Sequence, residues 1–270
     1  MQEPAVRASS PEALASVRHV LAVASAKGGV GKSTVAASLA LGLARLGFGV
    51  GLLDADLYGP SLPLLLGVHE EPHVDPDGTI QPVRRHGLAL MSIGLVAGRS
   101  APVIWRGPLL AQAAQQFLRQ VRWGQLDFLV VDLPPGTGDV VLTLCQSVEL
   151  GGAVVVTTPQ DVALQDVERA IAMFAKVEVD VLGMVENMSY LLCPHCGARH
   201  EVFGHGGGRV AAQRLGLDFL AEIPLDPHIR ASGDAGRPLL GADAVVPQAK
   251  VFQELAERVV AALQPPPAAG

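Results

Sequence analysis

Aromatic residues make up only 4% of the 270-residue chain. A surface of stacked aromatic platforms for single-stranded nucleic acid is therefore not expected. Cysteine is scarce as well: three cysteines cannot build a disulfide framework, and that usage suits a reducing, intracellular compartment. Positive charge is in deficit, with 20 basic against 26 acidic residues, a net charge of −6 and an isoelectric point near 5.7. That balance argues against a strongly basic nucleic-acid-binding face. Mean hydropathy is high at +0.35, yet no uninterrupted apolar run reaches the roughly 18 residues a membrane span needs. The first sixteen residues carry Glu3 and Glu12 and no long apolar stretch, so they do not read as a secretory signal. With 49% hydrophobic and 17% charged residues, the bulk of the chain is not disordered. Its apolar content reads as buried parallel strands and packed helices.

The length suits a single α/β domain. Residues 1–16 read as a loose leader, broken by Pro4, Ser9, Ser10 and Pro11. Residues 265–270, which begin with three prolines, read as an extended tail. Between them, over 17–264, apolar runs alternate with helical patterns. Strands are predicted at His19–Ser25, Phe48–Leu53, Leu88–Ile93, Phe128–Val131, Ala153–Thr157, Val181–Val185 and Phe219–Ile223. Helices are predicted at Val35–Leu46, Pro108–Val121, Val162–Lys176, Gly208–Leu215 and Gln248–Leu263. Such alternation implies a mostly parallel sheet with helices on both faces. Two irregular stretches, 54–87 and 187–207, are too long for ordinary connections and are candidates for function.

The strongest motif is Ala26-Lys27-Gly28-Gly29-Val30-Gly31-Lys32-Ser33-Thr34. It follows a predicted strand and opens a helix, the context that a phosphate-binding loop requires. Its glycines let backbone N–H groups face phosphate oxygens, and the helix adds its positive end. Lys32 would bridge the β- and γ-phosphates, Ser33 would ligate Mg²⁺, and Thr34 would lie near the α-phosphate. The strict pattern has glycine where Ala26 stands. Asp132 ends the apolar run Phe128–Val131 and precedes Leu-Pro-Pro-Gly-Thr-Gly-Asp. An acidic residue there reads as the Walker B holder of the Mg²⁺ shell. Asp54 and Asp56 likewise close the second strand, beside where phosphates would lie.

With Lys27, the loop resembles the deviant Walker A, or SIMIBI, class of MinD, ParA and the nitrogenase iron protein. Two of the chain's four lysines fall in this loop. The resemblance implies a homodimer that sandwiches ATP, with Lys27 reaching the partner's nucleotide. It also makes the Asp54–Ser61 segment a first switch, with Asp56 orienting the attacking water and Asp54 in the Mg²⁺ shell, or the two roles exchanged. Asn187 resembles the asparagine that reads the adenine edge. Pro224 and Asp226 resemble a second base-side segment.

Cys193-Pro194-His195-Cys196-Gly197 lies in the irregular stretch after Asn187. Its C-x-x-C spacing lets two thiolates bind one metal centre, and four ligands can be reached in two ways. One chain could add His200 and His205 to make a zinc site. Alternatively, two copies could each give a pair, making a four-thiolate site on a two-fold axis that suits a 4Fe–4S cluster. Cys145, in an apolar helical context, reads as a packing residue.

Taken together, these segments resemble the Mrp/ApbC-type iron–sulfur cluster carrier ATPases across residues 19–263, including Trp105-Arg106-Gly107-Pro108 and Ile223–Asp226. The resemblance implies a cytoplasmic homodimer that takes a 4Fe–4S cluster from a scaffold or donor and delivers it to apo-proteins, with slow ATP hydrolysis gating the step. The negative net charge and the mixed charges of the last helix argue against a nucleic-acid or membrane partner. Many such proteins carry an additional small N-terminal domain, which sixteen leader residues are too few to hold. Arg106, with Trp105 beside it, is a candidate for the dimer or switch surface. The other reading is a MinD- or ParA-like positioning ATPase with a structural zinc or no metal. That function calls for a basic amphipathic terminal helix or a basic surface. The last predicted helix instead sets Lys250 and Arg258 against Glu254 and Glu257.

Overall fold

The computed structural model describes residues 11–56, 58–96, 107–241 and 247–263. Trp105, Arg106, the tail 265–270 and the first ten residues of the leader lie outside them. After a single 3-10 turn at Glu12–Leu14, the chain runs β1 (Val17–Ala24), α1 (Lys32–Arg45), β2 (Val50–Asp54), α2 (Leu62–Leu65), β3 (Val83–Arg85), β4 (Leu88–Ser92), α3 (Ile93–Val96) and α4 (Gly107–Gln120). It continues β5 (Leu126–Asp132), α5 (Asp139–Gln146), β6 (Gly152–Thr157), α6 (Asp161–Lys176), β7 (Val181–Glu186), β8 (Leu191–Leu192), β9 (Arg199–His200), α7 (Gly207–Arg214), β10 (Phe219–Glu222), α8 (Pro227–Asp234) and α9 (Ala249–Leu263).

Eight strands form one sheet in the order β10-β7-β6-β1-β5-β2-β4-β3. Within this sheet every described strand pairing is parallel except β3 with β4. Successive residues of β1 point to opposite faces, as the two-residue strand period requires: Val20, Ala22 and Ala24 enter one core cluster, Leu21 and Val23 the other. One cluster holds Phe117, Trp123, Leu144 and Phe174. The other holds Leu39, Leu43, Phe252 and Leu255, where α9 covers α1. The two helices approach so closely that a Cβ on Gly42 would stand 2.9 Å from the Ala256 Cβ. No helix among the described residues is long and apolar enough to cross a membrane.

The twelve predicted elements all form, with ends shifted by up to three residues. The largest shift is at α1, which begins at Lys32, because Gly31 already caps it in a left-handed conformation. The long stretch 54–87 contains the single turn α2 and the short antiparallel edge strand β3. The stretch 187–207 folds into the two-stranded β8–β9 hairpin.

Register creates a feature that no single strand reveals. Glu222 pairs with Glu186 and Glu186 with Thr157. Across the sheet, Asp132 pairs with Asp54, and Asp54 with Ser92. These polar residues form a row along the carboxyl edge of the sheet, the side on which ligands bind in open α/β folds. Thr157, Glu186, Asp132, Asp54 and Ser92 are all buried.

Candidate nucleotide site and cysteine hairpin

The loop between β1 and α1 carries two left-handed glycines, Gly29 (φ +82°) and Gly31 (φ +81°). These conformations turn the chain so that α1 starts directly under the loop. Gly28 and Gly29 are exposed at the mouth, while Val30 is buried and Ser33 and Thr34 are half-buried. Lys27 is half-buried beside them, and its carbonyl accepts the Ser25 hydroxyl at 2.9 Å. The Gly136 N–H donates to Ser25 O at 2.8 Å, so the loop after Asp132 leans on the phosphate loop.

Lys32 is buried and lies among carboxylates. Its Nζ is 2.5 Å from Asp132 Oδ1 and 3.6 Å from Asp56 Oδ2. Asp132 is pushed above the usual carboxylate range by burial, against the opposing pull of Lys32 and the Ser33 hydroxyl. Asp54 is pushed up to about 7, first by burial and then by the neighbouring Asp132. Its Oδ2 accepts the Leu62 N–H at 3.2 Å and the Ser92 hydroxyl at 3.0 Å, and its Oδ1 accepts the Asp56 N–H at 3.2 Å. Three buried or nearly buried carboxylates thus face one buried ammonium. Two of their oxygens, Asp56 Oδ1 and Asp132 Oδ2, have no hydrogen-bond partner among the described residues. Orphaned buried carboxylate oxygens beside a lysine and a serine hydroxyl fit a divalent cation with its waters.

Asn187 follows β7 and is buried against the loop. Its Nδ2 donates to Val30 O at 2.8 Å, and a Cβ on Gly31 would meet that nitrogen at 2.2 Å. The Ser189 N–H donates to Ile223 O and the Leu225 N–H to Tyr190 O. Pro224 and Asp226 therefore run alongside the segment that carries Asn187. Asp226 caps α8 through the His228 N–H at 2.7 Å and also accepts from Gln248. Burial would raise this carboxyl, but those hydrogen bonds hold it below the usual range.

Cys193 and Cys196 sit in the turn of the β8–β9 hairpin, half-buried and exposed respectively. The Cys193 N–H donates to Ala198 O, and the Gly197 N–H returns to Cys193 O, both at 2.8 Å. The backbone N–H groups of His195 and Cys196, with the Cys196 side chain, lower the Cys193 thiol below its ordinary value, which favours the metal-binding thiolate. The single-chain zinc set is not assembled. His205 Nδ1 is turned to Glu201 Oε1 at 2.7 Å, and among the described residues no third His, Cys, Asp or Glu side chain joins Cys193 and Cys196 to hold a metal ion. Cys145 is buried in α5, and burial pushes its thiol up to about 12.

The sequence pattern missed Ser92, which braces Asp54, and the polar cluster beneath the hairpin. In that cluster, buried Glu186 accepts the Ser189 hydroxyl at 2.6 Å and the Gly208 N–H at 2.5 Å. A carboxylate closing the apolar run Val181–Val185 was the available signal.

The family described as "NUBPL iron-transfer P-loop NTPase" matches residues 16–260. The iron-sulfur cluster carrier protein of Aquifex aeolicus is 51% identical over 243 residues, covering 89% of this chain and 67% of that protein. The iron-sulfur cluster transfer protein NUBPL of Dictyostelium discoideum is 46% identical over 254 residues, covering 93% and 79%. A solved structure of a nucleotide-binding protein from Archaeoglobus fulgidus, in complex with ADP and with cobalt, superposes with a TM-score of 0.77. It is 40% identical and covers 87% of this chain and 92% of its own. With its phosphate loop, acidic crest and cysteine hairpin in one fold, the chain belongs to the ParA-type NUBPL iron-transfer P-loop NTPase family.

Proposed function

We propose that this protein is a cytoplasmic, ATP-dependent carrier of iron–sulfur clusters. Two copies hold a 4Fe–4S cluster as cargo between their Cys193/Cys196 pairs, receive it from a scaffold or donor, and pass it to apo iron–sulfur proteins. Slow ATP hydrolysis by the same dimer times the release, with Lys27 of one copy completing the nucleotide site of the other.

The backbone of Gly28–Thr34 receives the phosphates, and Lys32 exchanges its carboxylate contacts for phosphate oxygens. Ser33 and Asp132, with Asp54 braced behind by Ser92, would hold Mg²⁺, which when bound neutralises the β- and γ-phosphate oxygens. Asp56, whose Oδ1 has no hydrogen-bond partner among the described residues, would orient the attacking water. Asn187 reads the base, with Pro224 and Asp226 flanking it.

The observation that carries the cargo assignment is the surface hairpin that offers two thiols with no third ligand of its own chain among the described residues. A closed four-thiolate centre then requires a second copy. The positioning-ATPase reading gains no support from α9. Its apolar face is spent on the core through Phe252, Leu255, Ala256 and Val259, which leaves that stripe unavailable to lipid. Anaerobic reconstitution tests the proposal. The expected product is brown, with about four iron and four sulfide per two chains, and Cys193→Ala abolishes the colour while nucleotide binding persists. A colourless protein with one zinc per monomer would refute it.

A further inference from the structure

The cysteine hairpin is joined to the nucleotide loop by a very short stretch of chain. Asn187 touches the phosphate loop through Val30 O, and Cys193 follows six residues later. Between them, Met188 takes a left-handed backbone (φ +55°). A non-glycine residue is held there only where its surroundings fix it. Main-chain bonds pin the strap on both sides of that bend: Asn187 N–H to Thr157 O, Ser189 N–H to Ile223 O, and Leu225 N–H to Tyr190 O.

Beyond Tyr190 the hairpin forms a two-stranded sheet of its own, and the Arg199 side chain ties it back. Arg199, on β9 opposite Leu192, pairs with Glu222 Oε1 at the end of β10. Its guanidinium also stacks 4.0 Å above the Tyr190 ring. Glu222 Oε1 is in turn 3.0 Å from the Ser189 hydroxyl, which donates to buried Glu186 at 2.6 Å. One hydroxyl hydrogen serves two carboxylates, so the guanidinium is the group that satisfies Glu222. Arg209 stands further off, 3.9 Å from Glu222 Oε2, and lies over the Phe219 ring.

We propose that Arg199 is a positioning residue that latches the cysteine hairpin to the strap 187–190, so that a shift of Asn187 on nucleotide binding is transmitted to Cys193. The inference rests on the reading of Asn187 as a nucleotide contact given above, and it extends that reading to how the two sites communicate. Without the latch, the hairpin keeps its thiols and its fold but pivots at Tyr190 independently of the nucleotide loop. Shape matters as well as charge, because the same guanidinium must both pair with Glu222 and lie over the Tyr190 ring.

The test reads thiol chemistry on metal-free protein, apart from cluster carriage. In a Cys196→Ser background, Cys193 is the accessible thiol and Cys145 is buried. The rate of Cys193 alkylation by N-ethylmaleimide is measured with and without Mg²⁺ and a non-hydrolysable ATP analogue. With Arg199 in place, nucleotide changes the rate by about fivefold or more, the lower end of typical site–site coupling. In Arg199→Ala and in Glu222→Gln, the ratio falls to within about twofold of unity while nucleotide affinity is retained. Arg199→Lys, which keeps the charge and loses the stack, gives an intermediate ratio. A residue needed only for stability would move both rates and leave their ratio unchanged. An equal ratio with and without Arg199, or a ratio of one in both, overturns the latch. Failure of cluster carriage is seen separately, as a colourless product when the unsubstituted chain is reconstituted.

Discussion

Replacing Gly31 by alanine separates two effects that usually arrive together. Gly29 and Gly31 have nearly the same left-handed backbone, φ +82° and +81°. Alanine at either site therefore carries the same conformational cost, about 1–2 kcal/mol. Their surroundings differ. Among the described residues, a Cβ at 29 meets nothing within 4 Å, whereas a Cβ at 31 falls 2.2 Å from Asn187 Nδ2. That nitrogen must move, which breaks its 2.8 Å bond to Val30 O and strands a buried donor, at a cost of about 1–3 kcal/mol. Gly29→Ala should therefore lower stability by about 1–2 kcal/mol and Gly31→Ala by about 3 kcal/mol or more. At roughly 2–4 °C per kcal/mol for a domain of this size, calorimetry on nucleotide-free protein resolves the pair easily. Adding Asn187→Ala should shrink the Gly31→Ala cost to that of Gly29→Ala, a coupling readable in a double-mutant cycle. Equal melting shifts for the two alanines, or strict additivity with Asn187→Ala, would refute the claim that Asn187 packs on the loop.

Lys32→Ala should abolish nucleotide binding, checked with a fluorescent ATP analogue, and leave cluster assembly on Cys193 and Cys196 intact. It should also lower nucleotide-free stability by about 3 kcal/mol, because Asp132 loses its buried cation. The nucleotide-free protein should lose stability as pH rises from about 4 through 7, since the folded Asp54 binds its proton more tightly than the unfolded chain does. Asp54→Asn should flatten that slope, read as urea midpoints at about pH 5 and 7.5, and a slope unchanged by the substitution would contradict the assignment.

The phosphate loop was legible because its residues are contiguous and their chemistry is local: glycines, a lysine and a hydroxyl between a strand and a helix. Asp54 and Asp132 were legible because each terminates an apolar run. Ser92 and Glu222 were not, because their roles come from strand register, which places Ser92 against Asp54 and Glu222 against Glu186. Arg199 was invisible for a related reason, since its partner lies on a strand twenty-three residues away. Among the elements, β3 has three residues, two of them exposed, too few for a period-two pattern. Helix α8 was not predicted: Asp226-Pro227, a cap followed by proline, was an available start signal, but the helix buries no residue and so shows no apolar stripe.

The covering of α1 by α9 bears on how the molecule is made. Residues 32–45 emerge from a ribosome some two hundred positions before their lid at 249–263. Strand β1, too, waits for β5 and β6 before either of its flanks is paired. Until α9 is made, therefore, the apolar face of α1 behind the phosphate loop lacks its cover, and the contacts that close this core join residues far apart in the chain. A chain cut short before residue 249 should therefore expose the apolar face of α1 that α9 covers.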